Sequence, residues 1–364
     1  MNAISLPTAR KAIIAARVYE ALRSTFAHWE AVPNYDLDHE FAAYLDEALV
    51  APDRLTFDLV TLRFVASLNN GHTAFGDNWL WAEHGAPIGF DAQWMDDGWV
   101  VTQSVVRGLE PGDWLAQISG EAVDAFANAK LPFVSGSSLR ERRHRLFSRP
   151  YLFPNTFELL TGRGETHRIR RGMARLDQSQ EPGGRWTKPN HDFRLTLPSF
   201  AAPEFEARAI RCVANLPDDV HLTIDVRGNA GGNTPCDLVA ALMPVPYRFW
   251  RHATLVQSGL ERAEGVPSRM QITEPTWIEP TTGAFRGPMT ILIDRGTFSA
   301  AEDFVLPFKD NRRARIVGEA TGGSSGQPYV CDLGGGMLLW VGSKRQYLPD
   351  GDPFEGVGIL PDDA

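Results

Sequence analysis

A short apolar run at residues 289–293 ends in Asp294 and leads within five residues into Thr-Phe-Ser-Ala-Ala-Glu at 297–302. The run reads as a buried strand, and residues 300–308 read as a helix. A serine at such a strand-to-helix turn sits on rigid backbone. The amide after it, that of Ala300, lies at the positive end of the helix dipole. A serine nucleophile requires this setting, because its hydroxyl needs a base and the oxyanion it generates needs donors. The plainer reading makes Ser299 an N-cap, since Glu302 three residues on completes a capping-box pattern.

Two further segments weigh against a cap alone. Residues 221–233 form another strand that runs into a glycine-rich turn, Arg-Gly-Asn-Ala-Gly-Gly-Asn. Gly231 and Gly232 permit positive φ and close backbone approach, so amides there can face a developing negative charge. Neither GxxxxGK[ST] nor GxGxxG follows a strand, which excludes the usual nucleotide loops. Residues 57–68 have helical spacing and end in Asn-Asn-Gly-His-Thr at 69–73. His72 thus leaves a helix end after a glycine turn. As one of nine histidines, it is weak evidence alone.

In order, the segments at 70–73, 225–232, 297–304, 317–323 and 354–362 resemble those of the C-terminal processing (tail-specific) serine peptidases. The chain looks most similar to the branch that includes the tricorn core protease and the interphotoreceptor retinoid-binding protein repeats. The resemblance runs over nearly the whole chain. It implies an α/β fold with a crotonase-like catalytic domain, an N-terminal helical region and a PDZ-like middle domain. It also implies Ser299 as nucleophile and His72 as base. Many tail-specific proteases use a lysine in the glycine-rich stretch beyond the serine's helix, but residues 321–327 contain none. Lys309 would lie about 15 Å along the helix from Ser299, too far for proton transfer. Nothing in the sequence supports Lys344. Glu355 matches the branch's relay glutamate, with Glu302 as the competing carboxylate. The branch carries a serine next to its histidine, whereas Gly71 and Thr73 flank His72. The expected oxyanion donors are the amide of Ala300 and that of Gly231 or Gly232.

Composition is that of a globular enzyme. With 364 residues, 43% hydrophobic and 22% charged, the chain can bury a large core. A net charge of −9 argues against nucleic acid as partner. Three widely spaced cysteines, Cys212, Cys236 and Cys331, suggest a reducing compartment and lack zinc-site spacing. No apolar leader or membrane-length run is present. The expected location is cytoplasmic, or periplasmic if a signal peptide was removed. No cofactor or metal is implied.

Three parts are expected. Residues 1–80 are helical, with a break at 33–36, and carry the histidine. Residues 86–176 form the PDZ-like part. They open with a hairpin around Asp97-Gly98 and contain a GLxxGDxLxxIxG segment at 108–120, followed by a helix near 122–130. Residues 185–364 form the catalytic part, after a polar linker at 178–184. Pro307 is expected to kink the serine's helix or end it early. Between 130 and 175 there are eleven Lys and Arg against three Asp and Glu. That is either a solvated face or a patch for acidic peptide segments. The expected activity is peptide hydrolysis through an acyl-enzyme, acting on peptides or unfolded polypeptide. The alternatives are a non-catalytic binding module of the same fold and a small-substrate esterase or amidase. A histidine base predicts a rate that rises through an ionisation near 6.5.

Overall fold

The computed structural model describes residues 5–95, 97–172, 176, 182–188 and 191–362. The chain forms two compact units, Met1–Gln178 with Pro328–Gly342 and Ser179–Gln327 with Ser343–Ala364.

The first unit opens with helices Thr8–Thr25, Leu37–Val50 and Arg54–Ala66. The break at 33–36 is present because Asp36 caps the second helix, its side chain accepting from the amides of Asp38 and His39. A further break at 51–53, which the apolar spacing does not announce, is set by Asp53 accepting from the Thr56 amide. Ile14, Val18, Leu22, Phe57 and Val65 bury one face of these helices against Leu333, Leu339 and Val341. The latter come from strands Tyr329–Gly334 and Met337–Val341, which pair with each other, and Met337–Val341 also pairs with Ala74–Asp77. Burial of these apolar side chains draws residues 328–342 into the first unit.

The hairpin is present as antiparallel strands Phe90–Met95 and Gly98–Ser104, with Trp94 opposite Trp99. Leu109, Leu115 and Ile118 of the 108–120 segment are buried, and the Asp113 carboxylate accepts from the Glu110 amide at 2.8 Å. The helix after it spans Val123–Lys130. Leu115–Ile118 lies in a four-stranded sheet with Glu121–Ala122, Thr156–Thr161 and Thr166–Arg170. Of the linker, residues 178–181 lie outside the described residues, whereas 183–184 begin the strand Gly183–Lys188.

Much of the basic excess at 130–175 is used internally. Arg142 donates to the Ala66 carbonyl at 2.8 Å and Arg145 to the Gly71 carbonyl at 3.1 Å. Arg145 also pairs with buried Glu141 at 2.6 Å. Arg143 stacks over Trp94 at 3.9 Å.

The second unit is built on a five-stranded sheet. In spatial order the strands are Arg315–Gly318, Met289–Ile293, His221–Asp225, Asp192–Thr196 and Gly183–Lys188. The first four run parallel, and the last pairs antiparallel. Leu222, Ile224, Ile291, Ile293 and Ile316 are fully buried, as expected for parallel strands covered on both faces. The helix after Ser299 spans Ala300–Asp310 and does not end at Pro307. Phe304 and Phe308, both fully buried on that helix, offset the one backbone bond that proline removes. A separate antiparallel sheet joins Arg269–Thr273, Arg251–Val256 and Lys344–Tyr347.

Asp58, fully buried on Arg54–Ala66, sits near Asp77, whose carboxylate Arg54 holds at 2.7 and 2.8 Å. Burial first, and then the charge of Asp77, push the Asp58 carboxyl up to about 9. The folded state therefore keeps a proton that the unfolded chain releases near 3.9. The resulting stability is fully present below that value and is lost as pH rises through the folded one. Asp58→Asn, which mimics the neutral acid, is predicted to weaken this loss. Urea midpoints at pH 5 and pH 8 check it: wild type must lose more stability across the interval than the variant, and equal losses would refute the assignment.

Candidate functional site

Ser299 ends the turn that leaves strand Met289–Ile293 and carries φ 56° and ψ −124°. An ordinary N-cap serine sits in the extended region at negative φ. A non-glycine residue at positive φ costs on the order of 1–3 kcal/mol and persists only where its surroundings hold it. The holding groups are identifiable. The Ser299 amide donates to the Glu302 carboxylate at 3.0 Å and to the Ser324 carbonyl at 3.2 Å. Asp294 closes the turn before it, accepting from the Gly296 and Thr297 amides at 2.9 and 3.0 Å. The same carboxylate oxygen accepts from the Gly228 amide at 2.8 Å, so it ties the serine turn to the glycine-rich turn.

Gly231 and Gly232 carry φ of 92° and 135°. A Cβ on Gly231 would lie 2.8 Å from both the Ser299 Cβ and the Ala300 nitrogen, and one on Gly232 would lie 2.2 Å from the Phe200 carbonyl. Both positions therefore require glycine. Their amides differ. That of Gly231 donates to the Asn229 side chain at 2.9 Å. Those of Gly232 and Ala300 donate to no acceptor among the described residues. Asn229, fully buried, also donates to the Leu197 carbonyl at 2.9 Å, and its own carbonyl accepts from the Phe298 amide at 2.9 Å. The sequence marks Asn229 only as a residue among glycines, yet it fixes the turn from inside.

Glu302 is fully buried. Besides the Ser299 amide, it accepts from the Thr321 hydroxyl at 2.5 Å and from the Gly323 and Ser324 amides at 2.8 and 3.2 Å. Burial raises its carboxyl well above the usual range, while these donors act in the opposite direction. The clamped 321–324 loop in turn holds the segment containing Glu355. The Gly356 amide donates to the Gly323 carbonyl at 2.6 Å, and the Ile359 amide donates to the Thr321 hydroxyl at 2.7 Å. Thus Ser299, Ala300, Gly231, Gly232 and the Glu355 loop belong to one hydrogen-bonded assembly in the second unit. Lys309 points elsewhere, donating to Asp362 at 2.5 Å.

His72 lies in the first unit. Asn70, 1% exposed, accepts from the His72 amide at 3.1 Å and the Thr73 hydroxyl at 2.8 Å. Ser137 accepts from the Gly71 amide at 2.7 Å. Thr73, beside the histidine, accepts from the Gly342 amide at 2.9 Å. Asn69 takes φ 50° and accepts from Arg142. Burial, followed by the positive charge of Arg145, pushes the His72 imidazole down to about 3. This is well below the value near 6.5 expected for an unperturbed histidine base.

All three cysteines are free. No described helix is long and apolar enough to cross a membrane.

Residues 194–364 match the peptidase family S41 model. The chloroplastic C-terminal processing peptidase of Tetradesmus obliquus is 30% identical over 141 residues, which are 39% of this chain and 28% of that protein. The matched stretch therefore spans less than a third of that relative. Among solved structures, mature CPAF superposes with a TM-score of 0.72 at 15% identity, covering 97% of this chain and 92% of that one. The photosystem II D1 C-terminal processing protease superposes with a TM-score of 0.59 at 18% identity, covering 98% and 93%. The chain thus resembles mature CPAF and the photosystem II D1 C-terminal processing protease in fold along nearly its whole length, and its residues 194–364 match the peptidase family S41 model.

Proposed function

We propose that the chain is a serine peptidase that hydrolyses peptide bonds through an acyl-enzyme at Ser299. The observation that carries this reading is the positive-φ serine at a strand-to-helix turn, with the amides of Ala300 and Gly232 in the same assembly donating to no acceptor among the described residues. A serine that only capped a helix would need no such backbone, and a binding site would need no such donors. Gly231, whose amide serves Asn229, supplies close approach rather than a hydrogen bond to the oxyanion.

His72 is assigned as the base and Glu355 as the carboxylate that orients it. In the reaction, the Ser299 Oγ attacks the scissile carbonyl and its proton passes to neutral His72. The tetrahedral oxyanion is held by the amides of Ala300 and Gly232. The protonated imidazole then gives its proton to the leaving amine, and water repeats the sequence on the acyl-enzyme. The parallel sheet with helices Pro203–Val213, Cys236–Leu242 and Ala300–Asp310 supports a crotonase-like catalytic part. The hairpin, four-stranded sheet and helix Val123–Lys130 support a PDZ-like part. Such a part favours peptide over small ester, because it can take an extended chain as an added strand. The three-part division into 1–80, 86–176 and 185–364 belongs to the same proposal.

A fluorophosphonate probe tests the nucleophile. It is predicted to label Ser299, and Ser299→Ala should abolish both labelling and peptide hydrolysis while its circular dichroism matches wild type. Labelling at another residue, or cleavage by the alanine variant, would remove Ser299 from the role.

The base has its own signature. A base works as neutral imidazole, so activity is lost as pH falls through the folded pKa of His72. With that value held down to about 3, the acid limb of kcat/KM attributable to this histidine is predicted to lie well below 6.5. The rate should then be insensitive to its ionisation from pH 6 to 8. His72→Ala should lower turnover by roughly 10²–10⁴-fold, and Glu355→Gln by less. A pH–rate profile on a small activated ester, with these variants beside wild type, decides the matter. A midpoint at or above 6.5 that disappears in His72→Ala would contradict the buried, neutral imidazole. An undiminished rate in His72→Ala would exclude it as base.

A further inference from the structure

The second unit holds a cavity of about 370 Å³ that begins one turn below Ser299 on the same helix. Asp303, at that lower turn, lies on its wall together with Thr234, which follows the glycine-rich turn. The opposite wall is a face of the small antiparallel sheet. Strand pairing sets His252 against Gln346 and Thr254 against Lys344. Cross-strand partners, and residues two apart on one strand, project to the same side. His252, Lys344 and Gln346 therefore share the face that lines the cavity.

The polar groups of this cavity are unequally satisfied. Asp303 accepts from the Trp250 indole at 2.7 Å, the Ser325 hydroxyl at 2.6 Å and the Thr234 hydroxyl at 2.5 Å. Its lone pairs are turned to the protein, and its charge is spread over three neutral donors. Glu274, also on the rim, is paired with Arg251 at 2.8 Å. Lys344 is half-buried and has no hydrogen bond, and no carboxylate within 4 Å, among the described residues. Gln346 is only 7% exposed, yet its Oε1 accepts no hydrogen bond. Half a turn of that amide places Nε2 in the same position. Burial, and then the charge of Lys344, lower the His252 pKa, so the imidazole is neutral at pH 7 and can donate through one nitrogen. A buried amide without a partner costs free energy unless a ligand satisfies it.

We infer that this cavity is a subsite for a substrate carboxylate, held by the Lys344 ammonium and the Gln346 amide. A cationic group is disfavoured because Asp303 is covered by three donors and Glu274 is paired with Arg251, whereas Lys344, whose charge acts on Asp303 only at longer range, has no hydrogen-bonded or ion-paired partner among the described residues. The inference deepens the peptidase reading and rests on it for the ligand being a peptide. The carboxylate comes either from an Asp or Glu side chain or from the chain terminus. The two sources share this chemistry.

Binding to the full chain carrying Ser299→Ala, read by fluorescence anisotropy, tests the subsite apart from catalysis. The probes are labelled peptides of one sequence: one with Glu and a free terminus, one with Glu→Gln, and one with an amidated terminus. One neutralisation is predicted to weaken binding by about tenfold or more, the usual size for a hydrogen bond to a charged group. Loss on Glu→Gln identifies a side-chain subsite, and loss on amidation identifies a terminal one. Adding Lys344→Met should level the acid and neutral peptides, whereas Lys344→Arg should keep most of the preference. Gln346→Leu should reduce it independently. No preference for either acid, or a preference that survives Lys344→Met, would overturn the subsite. Fluorophosphonate labelling of the Ser299 chain runs in parallel. Failure of wild type to label would sink the peptidase reading and leave the binding result standing.

Discussion

The candidate site in the second unit depends on one buried carboxylate. Glu302 receives hydrogen bonds from Ser299, Thr321, Gly323 and Ser324, and so joins the serine turn to the 321–324 loop. Four donors on one desolvated carboxylate form a rigid node, because rotation of the carboxylate would strand several buried amides at once. The positive φ of Ser299 follows from that node. Its amide is drawn back to its own helix and to the Ser324 carbonyl, and the backbone has to turn through an unfavoured region to reach them. The loop bearing Glu355 is fastened to the same node through Gly323 and Thr321. The capping pattern in the sequence and the catalytic reading are therefore not rivals. The cap supplies the force that holds the serine in its strained turn.

A second node faces the first. Asn229 closes the glycine-rich turn from inside by satisfying the Gly231 amide. The backbone then approaches Ser299 with the Gly232 amide donating to no acceptor among the described residues. Steric demand and hydrogen-bond supply are thus divided between adjacent glycines. Both must lack a Cβ, but only Gly232 has a donor to give. Asp294 joins the two turns from beneath by binding Gly228 and Gly296 with one oxygen.

Features set by local pattern were legible in the sequence. The two strand-to-turn passages, the hairpin at 90–104, the first helices and the helix at 123–130 all rest on periodicity or turn chemistry within about a dozen residues. What stayed hidden was carried by side chains that reach backbone far along the chain. Glu302 contacts residues about twenty positions on, and such a bond leaves no periodic trace. Asn229 looks like a turn residue whichever way its amide points. Asn70, Arg142 and Arg145 hold the His72 loop, yet the arginines register in the sequence only as part of a basic excess. That excess suggested a surface patch, whereas several of its members are spent on carbonyls, on Glu141 and on an indole. Arg142 adds a donor to the Ala66 carbonyl, which the Asn69 amide also reaches, and Arg145 reaches the Gly71 carbonyl just beyond the helix end, where carbonyl oxygens lack intrahelical amides. His72 was legible as a residue but not in its ionisation, because the burial that lowers its pKa is a property of packing.

The first turn of the serine helix carries two acids in succession, Glu302 and Asp303. Negative charge there complements the helix dipole, but it would oppose an oxyanion forming beside Ala300. The structure resolves this conflict without removing either residue. Each carboxylate is covered by donors, four on Glu302 and three on Asp303, so its field is met close to its source. Burial also raises both carboxyls, and that direction further lessens negative charge next to Ser299. The two side chains then serve different ends. Glu302 turns toward the backbone of the serine turn and fixes its shape. Asp303 turns toward Trp250 and Thr234 and builds the wall of the neighbouring cavity, which Lys344 also lines. A helix start that suits an anion is thereby kept available for the oxyanion of the proposed reaction, rather than being filled by the protein's own acids.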